Sequence, residues 1–226
     1  MEKLKSTLPN MLLSLAGICI IAGAALAAVN IYTMEPIAAG KAAALQNAIR
    51  KVTPEFNNNP TADQYKSVTS EGDSLVIFPA KKDGELVGVA VESFTKKGFS
   101  GEIKVIVGFD IEGKLLNYTV LQHAETPGLG SKMEQWFRTE KNKQSIIGRN
   151  LSEGNLAVTK EGGNVDAITA ATISSRAFLD AINRAYSAYK GSKDKTAITK
   201  LTTQTIGSTW ISAINLPATG KGGNNE

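Results

Sequence analysis

Ile103-Lys104-Val105-Ile106-Val107-Gly108-Phe109, then Asp110-Ile111-Glu112-Gly113-Lys114, then Leu115-Leu116-Asn117-Tyr118-Thr119-Val120-Leu121, is the stretch that decides the fold class. Ile103, Val105, Val107 and Phe109 recur at every second position, so they line one face of a strand. Glu112-Gly113 is a turn signal between two apolar runs, which predicts a hairpin. Upstream, Leu75 to Phe78 and Leu86 to Val91 are further short apolar runs on either side of a Lys82-Asp83-Gly84 turn. Downstream the period changes. Met133 to Phe137 reads as a short helix. Ile173 to Tyr189 is the clearest helix, with Phe178, Ala181, Ile182, Ala185, Tyr186 and Tyr189 on one stripe and Gly191 as its stop. Strands first and helices after them predict an α+β fold with a small antiparallel sheet and packed helices, rather than a doubly wound sheet.

The other end of the chain has a different solvent. Ser6 to Met34 contains no charged residue, and Met11 to Tyr32 is Leu, Ile, Ala, Gly and Val with only Ser14 and Asn30 strongly polar. At ~1.5 Å per residue, a helix of this length spans ~33 Å, enough for a hydrocarbon core of ~30 Å. Lys3 and Lys5 precede it and Glu35 follows it, so the positive-inside rule keeps the N-terminus cytoplasmic and sends the rest to the opposite side. A cleaved signal peptide is the rival reading, since Ala25-Leu26-Ala27 fits a small-residue cleavage site. The apolar run exceeds the ~7–15 residues of a signal core, which favours an uncleaved anchor. Ile37 to Val52 is rich in good helix formers and continues as a lead-in until Pro54 and Asn57-Asn58-Asn59-Pro60 break it. The expected organisation is a cytoplasmic N-terminus at 1–10, a transmembrane helix at 11–32, a helical linker at 33–74, a compact extracytoplasmic domain at 75–191 and a C-terminal extension at 192–226. In that extension Leu201, Ile206, Trp210, Ile211 and Ile214 would pack back weakly, and Gly220 to Glu226 is expected to be disordered.

Composition narrows the chemistry. The chain has one His and one Cys, too few for a structural zinc site, an iron–sulfur cluster or a c-type haem attachment. No metal ligand set and no catalytic side chain is assigned. A net charge of +4 without a basic run interleaved with aromatics gives no reason to expect nucleic acid. Any electron-transfer role therefore rests on an organic cofactor held without thiols.

Two segments read as a site. His123-Ala124-Glu125-Thr126-Pro127-Gly128-Leu129-Gly130-Ser131 follows the second hairpin strand. Its Pro and Gly residues permit tight turns and bring backbone N–H groups close to a ligand. The plain alternative is an ordinary loop with a structural His123. Asp166-Ala167-Ile168-Thr169-Ala170-Ala171-Thr172-Ile173-Ser174-Ser175-Arg176 leads into the clearest helix, whose first N–H groups favour an anion. Arg176 places a positive charge in the first turn, where helix electrostatics alone would not put one, and a phosphate would explain it. A simple helix cap by Thr172, Ser174 or Ser175 explains the hydroxyls equally well.

The pattern Asp-x-x-Thr-Ala-Ala-Thr-x-Ser-Ser resembles the flavinylation motif of FMN-binding domains. In that motif the last Thr of a Ser/Thr-Gly-Ala-Thr core is esterified to the FMN phosphate. The His-x-Glu-Thr-Pro-Gly-Leu-Gly turn, about 46 residues upstream, resembles the flavin-ring loop of the same domains, and Gly98-Phe99-Ser100-Gly101 matches their pattern as well. With the anchor in front, the chain is similar to the G-type subunits of Rnf-type ion-translocating ferredoxin:NAD oxidoreductases. The C-type subunits of Na+-translocating NADH:quinone reductases, which share both motifs, are the neighbouring family. Ala170 stands where the family usually has Gly, a difference of one methyl group. The extension after Gly191 lies outside the resemblance.

The resemblance implies covalent FMN on Thr172, with Asp166 opening the motif and Thr169, Ala170, Ala171, Ser174 and Ser175 around the attachment point. Lys160 and Arg176 are candidates to attend the phosphate. Glu125, Thr126, Leu129 and Gly130 are candidates to grip the isoalloxazine edge, and Phe99 to lie against the ring. It also implies an FAD-dependent flavin transferase for maturation, and partner subunits, both membrane-embedded and peripheral, of an electron transport complex in the bacterial inner membrane. On this reading the bulk of the chain is periplasmic and relays electrons without turning over a substrate alone. The rival functions are a stand-alone anchored flavoprotein feeding an extracytoplasmic reductase, and a non-redox anchored interaction domain.

Overall fold

In the computed structural model, which describes residues 7–69 and 72–214, the chain from Ser74 onward builds antiparallel hairpins in sequence order. The strands are β1 (Tyr65–Val68), β2 (Ser74–Lys82), β3 (Glu85–Thr95), β4 (Ile103–Phe109) and β5 (Leu115–Gln122), and the sheet order is β1-β2-β3-β4-β5. All four expected apolar runs fall inside β2 to β5, and the fold is α+β. The β4–β5 hairpin closes through Asp110, whose Oδ1 accepts the N–H groups of Glu112 at 2.9 Å and Lys114 at 2.8 Å. Gly113 takes φ +93° in this turn, and a Cβ there would lie 3.2 Å from the Tyr189 ring. Conformation and space therefore both ask for glycine at this position. β1 is a short strand ahead of those runs and pairs with β2, Tyr65 opposite Ile77.

Helix α3 (Thr172–Ile214) covers one face of the sheet. Leu75, Ile77, Val89, Val91, Val105, Val107 and Phe109 are buried in one core with Phe178, Ala181, Ile182, Ala185 and Tyr189 of α3. The alanines let the helix lie close: Ser93 Oγ donates to the Ala181 carbonyl at 2.8 Å, and Ser67 Oγ to the Ala188 carbonyl at 2.9 Å. Phe178 stacks on Phe137 with ring centroids 4.7 Å apart and meets Tyr118 edge-on at 4.9 Å. This aromatic trio brings the short helix α2 (Met133–Trp136) onto the sheet, and the Tyr118 hydroxyl donates to the Met133 carbonyl at 2.8 Å.

The expected stop at Gly191 does not occur: α3 runs on to Ile214. A glycine ends a helix by adopting a left-handed φ, and Gly191 is not among the positive-φ glycines. It passes β1 at ordinary packing distance, since a Cβ there would stand 3.6 Å from the Val68 carbonyl oxygen and 3.7 Å from Ser67 Oγ, so neither space nor conformation requires glycine here. Side chains of α3 are described as far as Lys193, so the expected packing of Leu201, Ile206, Trp210, Ile211 and Ile214 lies outside the described side chains. The expected disorder at Gly220 to Glu226 lies outside the described residues.

Helix α1 (Leu8–Val52) joins the expected membrane span and the lead-in into one helix with Pro36 inside it. It is long and apolar enough to cross a membrane, with a mean hydropathy of 2.5 over its most apolar window, none of which is buried. The chain forms two compact units, 1–47 and 48–226. Within the second unit the last turn of α1 seats Ala48, Ile49 and Val52 as buried residues. Val52 sits against Gly108 of β4, and the Lys51 carbonyl accepts Asn117 Nδ2 at 2.9 Å.

Candidate functional site

The 123–131 loop, the 98–101 turn and the start of α3 meet at a cleft of about 340 Å³. Phe99, Leu129 and Ile173 present large apolar side chains at its rim, 67%, 40% and 47% exposed, where water would ordinarily select polar ones. Glu125, Thr126, Gly130, Ala170, Ala171, Thr172 and Ser174 complete the lining. The cleft thus has an apolar mouth and a hydroxyl-bearing end at a helix N-terminus.

That end is built by the motif before α3. Ile168 N–H donates to Ser175 Oγ at 2.9 Å, and Ser175 Oγ donates in turn to the Ala171 carbonyl at 2.9 Å. Ser175 is fully buried, so it ties the approaching chain to the helix beneath the cleft. Ala170 takes φ +61°, a left-handed conformation that glycine adopts freely and that costs an L-residue ~1–2 kcal/mol. The expectation that this position suits glycine therefore has a conformational reason as well as a steric one. Thr169 is exposed beside it and does not line the cleft. Thr172 opens α3, and its Oγ1 accepts Lys160 Nζ at 3.4 Å.

Lys160 is carried on a 3-10 turn at Thr159–Glu161. Asp166 holds this turn: its Oδ1 accepts Thr159 Oγ1 at 3.0 Å, its Oδ2 accepts Lys143 N–H at 3.1 Å, and its carbonyl accepts Trp136 Nε1 at 2.9 Å. The first residue of the motif thus organises the frame around Thr172 and stands outside the cleft lining. Arg176 faces Glu161, Nε to Oε1 at 2.6 Å, both about half exposed, so its charge is already answered within the chain. The first turn of α3 contains no acidic residue, which leaves its N-terminal field open to an anion.

On the loop side, Glu125 is only 4% exposed although its neighbours Thr126 to Leu129 are exposed. Its Oε1 accepts Ser100 N–H at 3.1 Å and its Oε2 accepts Ser174 Oγ at 2.6 Å. His123 serves the loop: its Nδ1 accepts Glu125 N–H at 3.2 Å, and its Nε2 faces Glu134 Oε1 at 3.5 Å. Two members of the site were not expected from the sequence, Ile173 in the lining and Ser100 as a partner of Glu125. An apolar residue set between hydroxyls at a helix start was the one available signal for Ile173. Ser100 lies in the Gly98-Phe99-Ser100-Gly101 segment, but nothing local gave its N–H a partner 25 residues away.

An antiparallel sheet backed by one helix, with a small cleft at that helix's N-terminus, belongs to a flavin-binding class: residues 98–187 match the FMN-binding domain. Over 190 residues the chain is 32% identical to the G-type subunit of an ion-translocating oxidoreductase complex from Shewanella amazonensis, covering 80% of this chain and 86% of that one. The G-type subunits from Vibrio parahaemolyticus (35% identical; 67% of this chain, 74% of that one) and Haemophilus influenzae strain PittEE (37%; 70% and 78%) are similar as well. The chain belongs to this family, the G-type subunits of ion-translocating oxidoreductase complexes.

The residues fit FMN. The exposed Phe99, Leu129 and Ile173 offer apolar surface for a planar ring, and Thr172 with Lys160 Nζ supplies a hydroxyl and a cation where a helix N-terminus favours phosphate. Gly130 leaves room for the Glu125–Ser174 bond, since a Cβ there would fall 2.7 Å from both Glu125 Oε2 and Ser174 Oγ.

Proposed function

We propose that this chain is the membrane-anchored flavoprotein electron relay of an ion-translocating ferredoxin:NAD oxidoreductase, with FMN joined to Thr172 as a phosphodiester. The observation that carries the attachment point is the placement of Thr172 Oγ1 at the cleft, on the first residue of α3 and within reach of Lys160 Nζ. A threonine hydroxyl is a weak nucleophile by itself, so maturation falls to an FAD-dependent flavin transferase. In that step the Thr172 Oγ–P bond forms as the pyrophosphate of FAD breaks, AMP leaves, and the hydroxyl proton passes to a base of the transferase.

Bound FMN supplies the redox chemistry, and the protein supplies placement and electrostatics. Thr172 fixes the cofactor covalently on the far side of the membrane, where a lost flavin is not readily replaced. Lys160 and the N-terminal field of α3 balance the remaining phosphate charge. Thr126 and Leu129 orient the ring edge from the loop, and Phe99 shields it from water. Helix α1 holds the domain at the inner membrane with its bulk on the periplasmic side. Its span carries no charged residue from Ser6 to Met34, so it offers no ion path, and ion movement belongs to partner subunits.

The test is Thr172→Ala in the full chain. Flavin fluorescence in a denaturing gel should vanish while the domain stays folded, and in membranes ferredoxin-driven NAD reduction and the ion gradient should disappear together. Fluorescence that survives would move the link to another hydroxyl. Wild-type rates of both activities would show that electrons bypass this chain. Protease added to intact spheroplasts should digest the domain, and protection would reverse the assigned side.

A further inference from the structure

Glu125 does something that membership of the ring loop does not require. Its carboxyl group joins three segments that are distant in sequence: its own loop after β5, the 98–101 turn between β3 and β4 through Ser100 N–H at 3.1 Å, and the first turn of α3 through Ser174 Oγ at 2.6 Å. The space around it is closed. A Cβ at Gly98 would lie 2.7 Å from Glu125 Oε1 and 2.2 Å from the Gly101 carbonyl oxygen, and one at Gly130 would lie 2.7 Å from Oε2. Its main chain is tied as well, by the N–H bond to His123 Nδ1 at 3.2 Å. Glu125 is 4% exposed and Ser174 3%, so the Glu125–Ser174 bond is shielded from water, while the Ser100 bond is part-buried at the rim.

We propose that Glu125 is a positioning residue for flavin attachment: a buried carboxyl staple that fixes the Thr172 hydroxyl, two residues before Ser174, relative to the two loops that receive the flavin ring. The inference rests on Thr172 as the attachment point and adds what holds that hydroxyl in register. A buried network with every member satisfied is rigid, whereas a half-satisfied one is costly and loose. Group transfer is correspondingly sensitive, since a displacement of about 1 Å can cost about a hundredfold in rate.

The geometry separates position from charge. In Glu125→Gln the amide oxygen accepts from Ser100 N–H and the amide N–H donates to Ser174 Oγ, so both links persist without the acid. In Glu125→Ala both are lost. Ser174→Ala removes one link and leaves the other.

The experiment incubates the full-length chain in detergent with FAD and an FAD-dependent flavin transferase and follows FMN addition by intact mass, with near-UV circular dichroism reporting the fold. Glu125→Ala should slow loading about tenfold or more while the dichroism persists, and Glu125→Gln should stay within about threefold of wild type. The residual loaded Glu125→Ala chain should show a shifted flavin reduction potential, which a loss of global stability alone would not produce. If Glu125→Ala fails to fold, Ser174→Ala carries the test, with an expected loss of about threefold to tenfold in loading. Wild-type loading in the folded Ala variants, or equal slowing in Glu125→Gln and Glu125→Ala, overturns the staple and leaves the Thr172 reading intact. A wild-type chain that never loads removes both.

Discussion

Ala170→Gly is expected to stabilise a protein from which it deletes a methyl group. Ala170 sits at φ +61° in the turn that delivers the chain to Thr172. The left-handed conformation costs an L-residue ~1–2 kcal/mol through the clash of Cβ with the following carbonyl. Glycine escapes that cost but gives back ~0.4–1 kcal/mol in unfolded-state entropy. Ala170 is exposed, so its methyl contributes little burial to offset the strain. The balance is a gain of ~0.5–1 kcal/mol, and at ~2–4 °C per kcal/mol for a domain of this size the Tm should rise by ~1–4 °C. Ala170→Val supplies the opposite sign, because a β-branched side chain is a true outlier at positive φ and should destabilise by a further ~1–2 kcal/mol. Both variants are read by thermal melts of the full chain in detergent, in the flavin-free form so that ligand linkage does not enter. Destabilisation by Ala170→Gly, or indifference to Ala170→Val, would refute the left-handed assignment. It would also remove conformation as the reason this position suits glycine.

Gly108→Ala should cost about 3 kcal/mol, because the new Cβ would lie 1.7 Å from the Val52 carbonyl oxygen and backbone cannot yield as a side chain does. Urea titration measures the loss, and hydrogen exchange should open at Ala48 to Val52. A change within ~0.5 kcal/mol would mean that the last turn of α1 is not seated there. Burial pushes the Tyr189 hydroxyl up to about 12 from its ordinary 10.0, with the negative charge of Asp110 adding to the effect. In that range the unfolded chain releases a proton that the folded chain keeps, so stability should fall as pH rises from about 10 towards 12. Tyr189→Phe should flatten that part of the profile, and an unchanged slope would show that Tyr189 titrates normally. Thr126→Ala, at an exposed cleft position whose carbonyl accepts Leu129 N–H at 3.2 Å, should leave loading intact but shift the flavin potential or spectrum. An unchanged potential would take this loop out of the ring site.

Much of this molecule is legible from local pattern because the relevant physics is local. A period of two marks Ile103 to Phe109 as a strand, an uncharged run from Ser6 to Met34 marks a helix suited to lipid, and hydroxyls before an apolar stripe mark the start of α3. Lys160, by contrast, is a surface charge until the 159–161 turn brings it within 3.4 Å of Thr172 Oγ1. Arg176 looks free for phosphate until Glu161 is found beside it at 2.6 Å. Gly191 reads as a helix stop because glycine often is one. In the structure it lacks the positive φ that ends a helix, so α3 runs through it.

Sequence alone determined the fold class, the long apolar N-terminal helix and the family motifs from which Thr172 is proposed, since each is written in residue types at short, regular spacings. Tertiary structure decided what Glu125 and Ala170 do. The Glu125–Ser174 bond spans 49 residues, and the strain at Ala170 lies in a dihedral angle, which residue type does not specify. A carboxyl group in a loop is an exposed acceptor or a buried staple according to which distant segments close around it. That closure is the collective result of packing the sheet, the two loops and α3 into one core.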